Sequence, residues 1–187
     1  MKMNRQTRIR VWRLLSLFLL VVPHASSGDS HLSDAQKKEI VYRMYQDYKV
    51  KDFPGVTDIS PRNAMELLQS GNIVFVDTRK PEEMSVSMLP NAISREEYLQ
   101  DTVKYKEKIV VAYCTISYRS GILAEELASR GVAIYNLKGG LLAWVLEGGK
   151  VYDAGGETKK IHVYGKKWNY APSGYETVTF GFFERLF

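Results

Sequence analysis

The chain of 187 residues contains a single cysteine, Cys114, in surroundings typical of a reactive thiol. Cys114 follows the apolar run 109–113, which has the length of a buried strand, and it precedes a predicted helix over 120–130. A thiolate at this point faces the free N–H groups and the positive end of the helix dipole, and Arg119 adds a nearby cation. These features favour the ionised sulfur and nucleophilic chemistry. The alternative for a lone cysteine after an apolar strand is a buried core residue.

A second apolar run, 73–76, also ends in polar side chains, Asp77 and Arg79. In open parallel sheets, sites lie at the carboxyl ends of the strands, so this end and the cysteine loop belong to one edge. We expect Asp77 and Arg79 to form a structural pair that braces the loops, rather than to act directly in catalysis.

The elements that must position these residues alternate between strands and helices. The expected strands cover 56–59, 73–76, 109–113 and 132–135. The expected helices begin at Pro61, Pro81 and Ser120, and a short last helix contains residues 141–144. In the helix over 120–130 we expect Ile122, Leu123 and Leu127 on the inner side. This alternation predicts an α/β fold with a parallel sheet that helices cover on both faces.

Segments on either side of this pattern differ from it. A helix capped by Ser33 is predicted before Pro54, with the apolar stripe Ile40, Met44 and Tyr48. Residues 154–187 are rich in aromatic residues and glycine, and two stretches of alternating polarity predict half-buried strands at 161–164 and 177–180. We expect these to form a hairpin-like extension. Packing on the domain is favoured over a surface for a partner.

The first 28 residues have the pattern of a secretory signal peptide. Basic residues precede the apolar run 14–22, and Pro23 and small residues follow it. The run is shorter than the roughly 20 residues that a spanning helix needs, so stable membrane insertion is disfavoured, although an uncleaved anchor stays open. We expect the protein to be exported, either periplasmic or secreted.

The charge distribution of the chain does not indicate a nucleic-acid partner. The chain has 26 Lys and Arg against 21 Asp and Glu, a net charge of +5, but five of the basic residues lie in positions 2–13. The remainder carries 21 charges of each sign. Lys166, Lys167 and Trp168 are too few to indicate a nucleic-acid surface. His31 and His162 are expected to be either exposed to solvent or hydrogen-bonded within the protein. No spacing of potential ligands indicates a metal or another cofactor.

Four blocks of the sequence, in order, resemble a rhodanese domain. They lie at 76–83, 89–93, 113–120 and 137–144. The resemblance covers roughly residues 56–153 and implies a rhodanese-like α/β fold and a sulfurtransferase that needs no cofactor. We therefore divide the chain into a signal peptide (1–28), an N-terminal helix and linker (29–55), the rhodanese-like domain (56–153) and the aromatic extension (154–187).

The resemblance also implies roles for the cysteine loop. Cys114 would be the nucleophile that carries sulfane sulfur as a persulfide, and Arg119 would stabilise anionic donor or persulfide charge. Backbone amides of the loop would cradle the outer sulfur. The residues of this cradle are Thr115, Ile116, Ser117, Tyr118 and Ser120. The partners implied are a small-molecule sulfur donor and a thiol, protein or cyanide-like acceptor.

Loop length distinguishes this chemistry from that of the related cysteine phosphatases. Four residues separate Cys114 from Arg119, as in rhodanese sulfurtransferases, whereas the phosphatases have one residue more and a wider loop. The sequence departs from the family at Ser117, where glycine is frequent, and at 87–89, where Ser-Met-Leu replaces Gly-His-Ile. These departures leave substrate specificity open. They also keep open the alternative of a non-catalytic rhodanese-fold binding or regulatory module. A thiol-redox protein is disfavoured because there is no second cysteine.

Overall fold

The computed structural model of the protein describes residues 32–180, so the predicted signal peptide lies outside the described residues. The helices are α1 (Asp34–Asp52), α2 (Pro61–Gln69), α3 (Pro81–Val86), α4 (Arg95–Gln100), α5 (Tyr118–Ser129) and α6 (Gly140–Leu146). The strands are β1 (Asp58–Ile59), β2 (Ile73–Asp77), β3 (Ile93–Ser94), β4 (Ile109–Tyr113), β5 (Tyr135–Leu137), β6 (Val151–Asp153), β7 (Gly156–Thr158), β8 (Lys160–His162) and β9 (Glu176–Val178). No helix among these residues is both long enough and apolar enough to cross a bilayer.

Five of the strands form the central sheet, in the order β1-β5-β4-β2-β3, and every pair in it is parallel. β2 and β4 lie side by side at the centre, with Ile73 opposite Ile109 and Asp77 opposite Tyr113. This register brings the carboxyl ends of both strands to one edge of the sheet. Asp77 and the cysteine loop therefore share an edge, as their positions in the sequence predicted.

Helices cover both faces of this sheet. Side chains of a strand alternate between its faces, and the central strands supply two separate cores in this way. Phe75 and Val111 pack on the face that α2 and α6 cover, whereas Val74, Val76 and Ala112 pack on the face that α4 and α5 cover. The predicted fold class, an α/β protein with a parallel sheet between helices, is confirmed.

The buried face of α1 is not the predicted one. Ser33 caps the helix as expected, but the fully buried side chains are Val41 and Tyr45, while Met44 and Tyr48 lie half-buried beside them. Burial of the Tyr45 side chain is possible because its hydroxyl donates to Asp58. The buried stripe of α1 is therefore shifted by one residue from the expected one.

Two details of the central elements also differ from expectation. Ile122 is 39% exposed, whereas Leu123 and Leu127 are buried, so the inner face of α5 excludes Ile122. The third long strand begins at Tyr135 rather than at Val132, because Val132 N–H bonds to Leu127 O and closes the end of α5. The segment before this strand still packs on the core, because Ile134 is buried and Val132 is half-buried.

The extension beyond residue 153 is not a hairpin of the two expected strands. β8 and β9 pair in parallel, with Ile161 opposite Thr177, and the hairpin in this region is β6–β7 instead. The alternation of polarity indicated strands correctly but carried no information about direction. Ile161 and Val163 are fully buried, so the extension packs on the core.

Candidate active site

Cys114 follows β4 directly and is 2% exposed. The start of α6 lies against it: Leu141 N–H donates to Cys114 O at 2.9 Å, and Leu142 N–H donates to Thr115 O at 3.1 Å. Gly140 makes this approach possible. Its φ is +61°, and a Cβ built there would lie 2.4 Å from Cys114 O and 2.8 Å from Ser117 N. Only glycine fits between α6 and the cysteine loop.

Ser117 turns the loop into α5. Its φ of +62° and ψ of 28° are left-handed, a conformation that favours glycine, and this is the position where the sequence departs from the family pattern. The Ser117 hydroxyl is buried and has no hydrogen-bond partner in the described part of the chain. The loop therefore holds a serine in a conformation that its side chain disfavours.

A buried asparagine fixes this turn. Asn136 Nδ2 donates to Ser117 O and to the Tyr45 hydroxyl, both at 3.1 Å, and its Oδ1 accepts from Ser120 Oγ at 2.7 Å. Tyr45 in turn donates to Asp58, and burial together with this carboxylate raises the pKa of Tyr45. The network ties α1 and β1 to the cysteine loop, and it turns the Ser120 side chain towards the interior.

Arg119, the predicted cation, is held by Glu83. Nη1 and Nη2 of Arg119 donate to the two carboxylate oxygens at 2.6 and 2.9 Å, and Lys80 N–H donates to the same carboxylate at 2.9 Å. Burial alone would lower the pKa of Arg119, but the bonds to Glu83 and the electrostatic interaction with Cys114 raise it. The guanidinium therefore stays charged beside the sulfur.

His162 from β8 completes this cluster. The side chain is 3% exposed, and its Nδ1 lies 3.0 Å from Glu83 Oε1. Its ring stacks on Phe180 with a centroid separation of 4.9 Å. Burial would raise the pKa of Glu83, but the contacts with His162 and Arg119 hold it well below its usual value of 4.5.

A cavity of about 470 Å³ opens above the cysteine loop. Five predicted site residues line it, and they are Cys114, Thr115, Ile116, Tyr118 and Arg119. Ser117 and Ser120 do not line it, and both are fully buried. The structure thus brings the predicted nucleophile and cation to one cavity, whereas these two predicted residues lie outside its lining.

Asp77 and Arg79 form a buried ion pair at the same edge of the sheet. Arg79 Nε donates to Asp77 Oδ1 at 2.9 Å and Nη2 to Oδ2 at 2.6 Å, with both side chains fully buried. Arg79 Nη2 also donates to Ser87 O at 2.6 Å, and the guanidinium lies over the Tyr113 ring. Burial would lower the pKa of Arg79, but the Asp77 charge raises it. The pair joins the end of β2 to the turn after α3, and neither residue lines the cavity over Cys114.

Several residues at the site were not predicted from the sequence. Glu83 lies within the block at 76–83, so the sequence carried a local signal for it. His162 gave none, because it is 48 residues from Cys114 and its contact depends on how β8 packs. The aromatic residues Tyr48, Tyr164 and Trp168 line the cavity from segments outside the four blocks. Among residues 32–180, no group of three or more acidic, histidine or cysteine side chains is arranged to hold a metal ion.

Comparison with known proteins agrees with this fold. Residues 60–147 match the rhodanese-like domain family. The chain is 33% identical over 94 residues to the thiosulfate sulfurtransferase GlpE of Actinobacillus succinogenes. This alignment covers 47% of this chain and 83% of that protein. It is 35% identical over 108 residues to a tRNA sulfurtransferase of Desulfurococcus amylolyticus, over 54% of this chain and only 22% of that protein.

Among solved structures, a thiosulfate sulfurtransferase from Pseudomonas aeruginosa aligns with a TM-score of 0.46 at 17% identity, over 65% of this chain and 23% of that chain. On the family match and the alignment with GlpE, this chain belongs to the rhodanese-like domain family. Relatives named as sulfurtransferases lie at modest identity, and the chain spans about a fifth of the length of the tRNA sulfurtransferase.

Proposed function

We propose that the protein is a sulfurtransferase in which Cys114 carries the transferred sulfur as a persulfide. The observation that carries the proposal is the position of Cys114, which borders a cavity at the N-terminal end of α5 beside the charged Arg119. The first amides of a helix have no partner within it and stabilise negative charge. A thiolate, and then a persulfide anion, fits this position.

The reaction with thiosulfate has two steps. The Cys114 thiolate attacks the outer sulfur, a new S–S bond forms, and the S–S bond of the donor breaks as its electron pair leaves with sulfite. An acceptor thiolate or cyanide then attacks the outer sulfur of the persulfide and releases the Cys114 thiolate. Covalent catalysis of this kind divides one difficult transfer into two easier ones. Arg119 and the loop amides would stabilise the anionic sulfur in both steps.

Intact-mass measurement tests this proposal directly. Because Cys114 is the only cysteine in the sequence, a persulfide on the protein has one possible position. Incubation with thiosulfate should add one sulfur (about 32 Da) to a nucleophilic thiol, and addition of cyanide should remove it as thiocyanate. Cys114→Ala should show neither change. If the wild-type protein gains no sulfur from thiosulfate or from any organic donor, the catalytic function is wrong and a non-catalytic binding module takes its place.

We also propose that the protein is exported, on the strength of the basic and apolar pattern of residues 1–28. Expression of the full chain in a bacterial host, followed by cell fractionation and intact-mass measurement, tests this. Recovery of a shortened chain outside the cytoplasm supports export. Recovery of the full chain in the cytoplasm contradicts it.

A further inference from the structure

Four aromatic side chains surround the cavity over Cys114. Tyr48 comes from α1 and Tyr118 from the start of α5, and their rings meet edge to face at 5.1 Å. Tyr164 and Trp168 come from the segment between β8 and β9, and their rings meet edge to face at 5.5 Å. These two pairs of rings, with Ile116, give the cavity a largely aromatic lining, which we call the aromatic wall.

Most of the aromatic wall lies outside the family domain. Tyr48, Tyr164 and Trp168 all fall outside residues 60–147, the segment that matches the family. Two of the four rings are well exposed, Tyr118 at 39% and Tyr164 at 46%. Segments added to the rhodanese-like domain therefore bring aromatic surface to the space in front of its cysteine.

Two basic side chains also line this cavity. Arg119 and Lys80 both line it, and each is near a glutamate, Arg119 at Glu83 and Lys80 at Glu82. A ligand that places an anionic sulfur group beside Arg119 and an apolar body against the rings would match both features of the cavity. A small inorganic ion would interact with Arg119 but would leave the rings without a contact.

Building on the sulfur-transfer function proposed above, we infer that the preferred donor is an organic anion with a terminal sulfane sulfur on an aromatic body. The cavity volume of about 470 Å³ lies in the range of pockets for small organic ligands, roughly 300–1,000 Å³. Thiosulfate would leave the aromatic wall in contact with water. An aromatic donor would cover it and gain both apolar burial and ring–ring contact.

Thiosulfonates, in which an organic group replaces one oxygen of thiosulfate, give a matched pair of donors. With benzenethiosulfonate the Cys114 thiolate attacks the terminal sulfur, the S–S bond of the donor breaks, and benzenesulfinate leaves with the electron pair. Methanethiosulfonate reacts in the same way and releases methanesulfinate. The two donors share charge and reacting atoms and differ in the body that would contact the aromatic wall.

The experiment measures kcat/KM for both donors with the wild-type protein and with variants of the aromatic wall. For each protein we divide kcat/KM for the aromatic donor by kcat/KM for the methyl donor, and we compare this ratio between proteins. The intrinsic reactivities of the donors cancel in that comparison. Trp168→Ala removes one ring contact with the aromatic donor and the apolar area buried there, so it should lower the ratio about tenfold. Tyr164→Ala should lower it by a similar factor. Trp168→Phe, which keeps an aromatic face, should retain most of the wild-type ratio.

The matched control is Tyr135→Ala. Tyr135 is as exposed as Tyr118, but it begins β5 at the amino end of the sheet and does not line the cavity. Its removal should leave the ratio unchanged, and thermal melting of every variant shows that the proteins compared are folded. If both donors load sulfur onto Cys114 but the ratio is the same in all variants, the inference about the donor is wrong while sulfur transfer stands. If no donor loads sulfur, both proposals fail.

Discussion

Replacing Ser117 with glycine should make the protein more stable. Ser117 is one of two non-glycine residues with positive φ among residues 32–180, and Asn91 is the other. Asn136 holds the Ser117 carbonyl, and Gly121 N–H donates to the same oxygen, so the turn is fixed from two directions. Because the surrounding structure imposes the conformation, a glycine should adopt it without changing the loop.

Three effects set the size of the gain. A left-handed conformation costs a residue with a Cβ about 1–2 kcal/mol, and glycine removes this cost. The buried Ser117 hydroxyl has no partner in the described structure, and its removal recovers about 1 kcal/mol. Glycine loses about 1 kcal/mol more chain entropy on folding, which opposes these gains. The net expectation is an increase of about 1–2 kcal/mol, a rise of roughly 2–8 °C in Tm.

Urea unfolding followed by circular dichroism measures this change, with two further variants for comparison. Asn91→Gly is the matched control, because asparagine tolerates the left-handed region, and the added chain entropy should lower stability by about 0.5 kcal/mol. Ser117→Ala keeps the backbone cost and removes the hydroxyl, so its gain should be smaller than that of Ser117→Gly. A free energy of unfolding for Ser117→Gly equal to or below the wild-type value would refute the reasoning.

Two further predictions concern buried charges. Asp77→Asn should lower the free energy of unfolding by about 3–5 kcal/mol in urea titration, because it leaves the Arg79 charge buried without its partner. Glu126→Gln, which breaks an exposed pair with Arg130, should cost less than about 0.5 kcal/mol, and equal effects of the two substitutions would contradict this account. Glu83 has a lowered pKa in the folded state, so its carboxylate stabilises the protein fully above pH 4.5 and less as the pH falls below that value. The stability difference between wild type and Glu83→Gln should therefore be constant near neutral pH and shrink below pH 4.5; a difference that stays constant down to about pH 3 would refute it.

Local signals in the sequence were sufficient for the central sheet and the cysteine loop. The runs 73–76 and 109–113 are continuous and apolar because both faces of each strand are buried, and serines cap the helices that begin at Asp34 and Pro61. Cys114 could be placed at a strand end because the flanking elements are regular. Each of these inferences depends on residues close together in the chain.

Contacts between distant segments could not be predicted in this way. The position of His162 beside Glu83 depends on how β8 packs against α3, and the direction of β9 relative to β8 leaves no trace in an alternating pattern. Ser117 shows a different limit. Serine gives no sign of a left-handed backbone, and the contacts that hold this conformation come from Asn136 and Gly140, which are distant in the sequence.

The parallel pairing of β8 and β9 has a consequence for how this protein can change over time. A parallel connection has to cross back along the strands, and here the crossing segment carries Tyr164 and Trp168 to the cavity over Cys114. Insertions, deletions and substitutions in this segment would alter the aromatic lining of the cavity without altering Cys114, Arg119 or the central sheet. On the functions proposed above, most determinants of donor selectivity would then be encoded outside the stretch that encodes the cysteine loop, and mutation could adjust one while selection preserves the other.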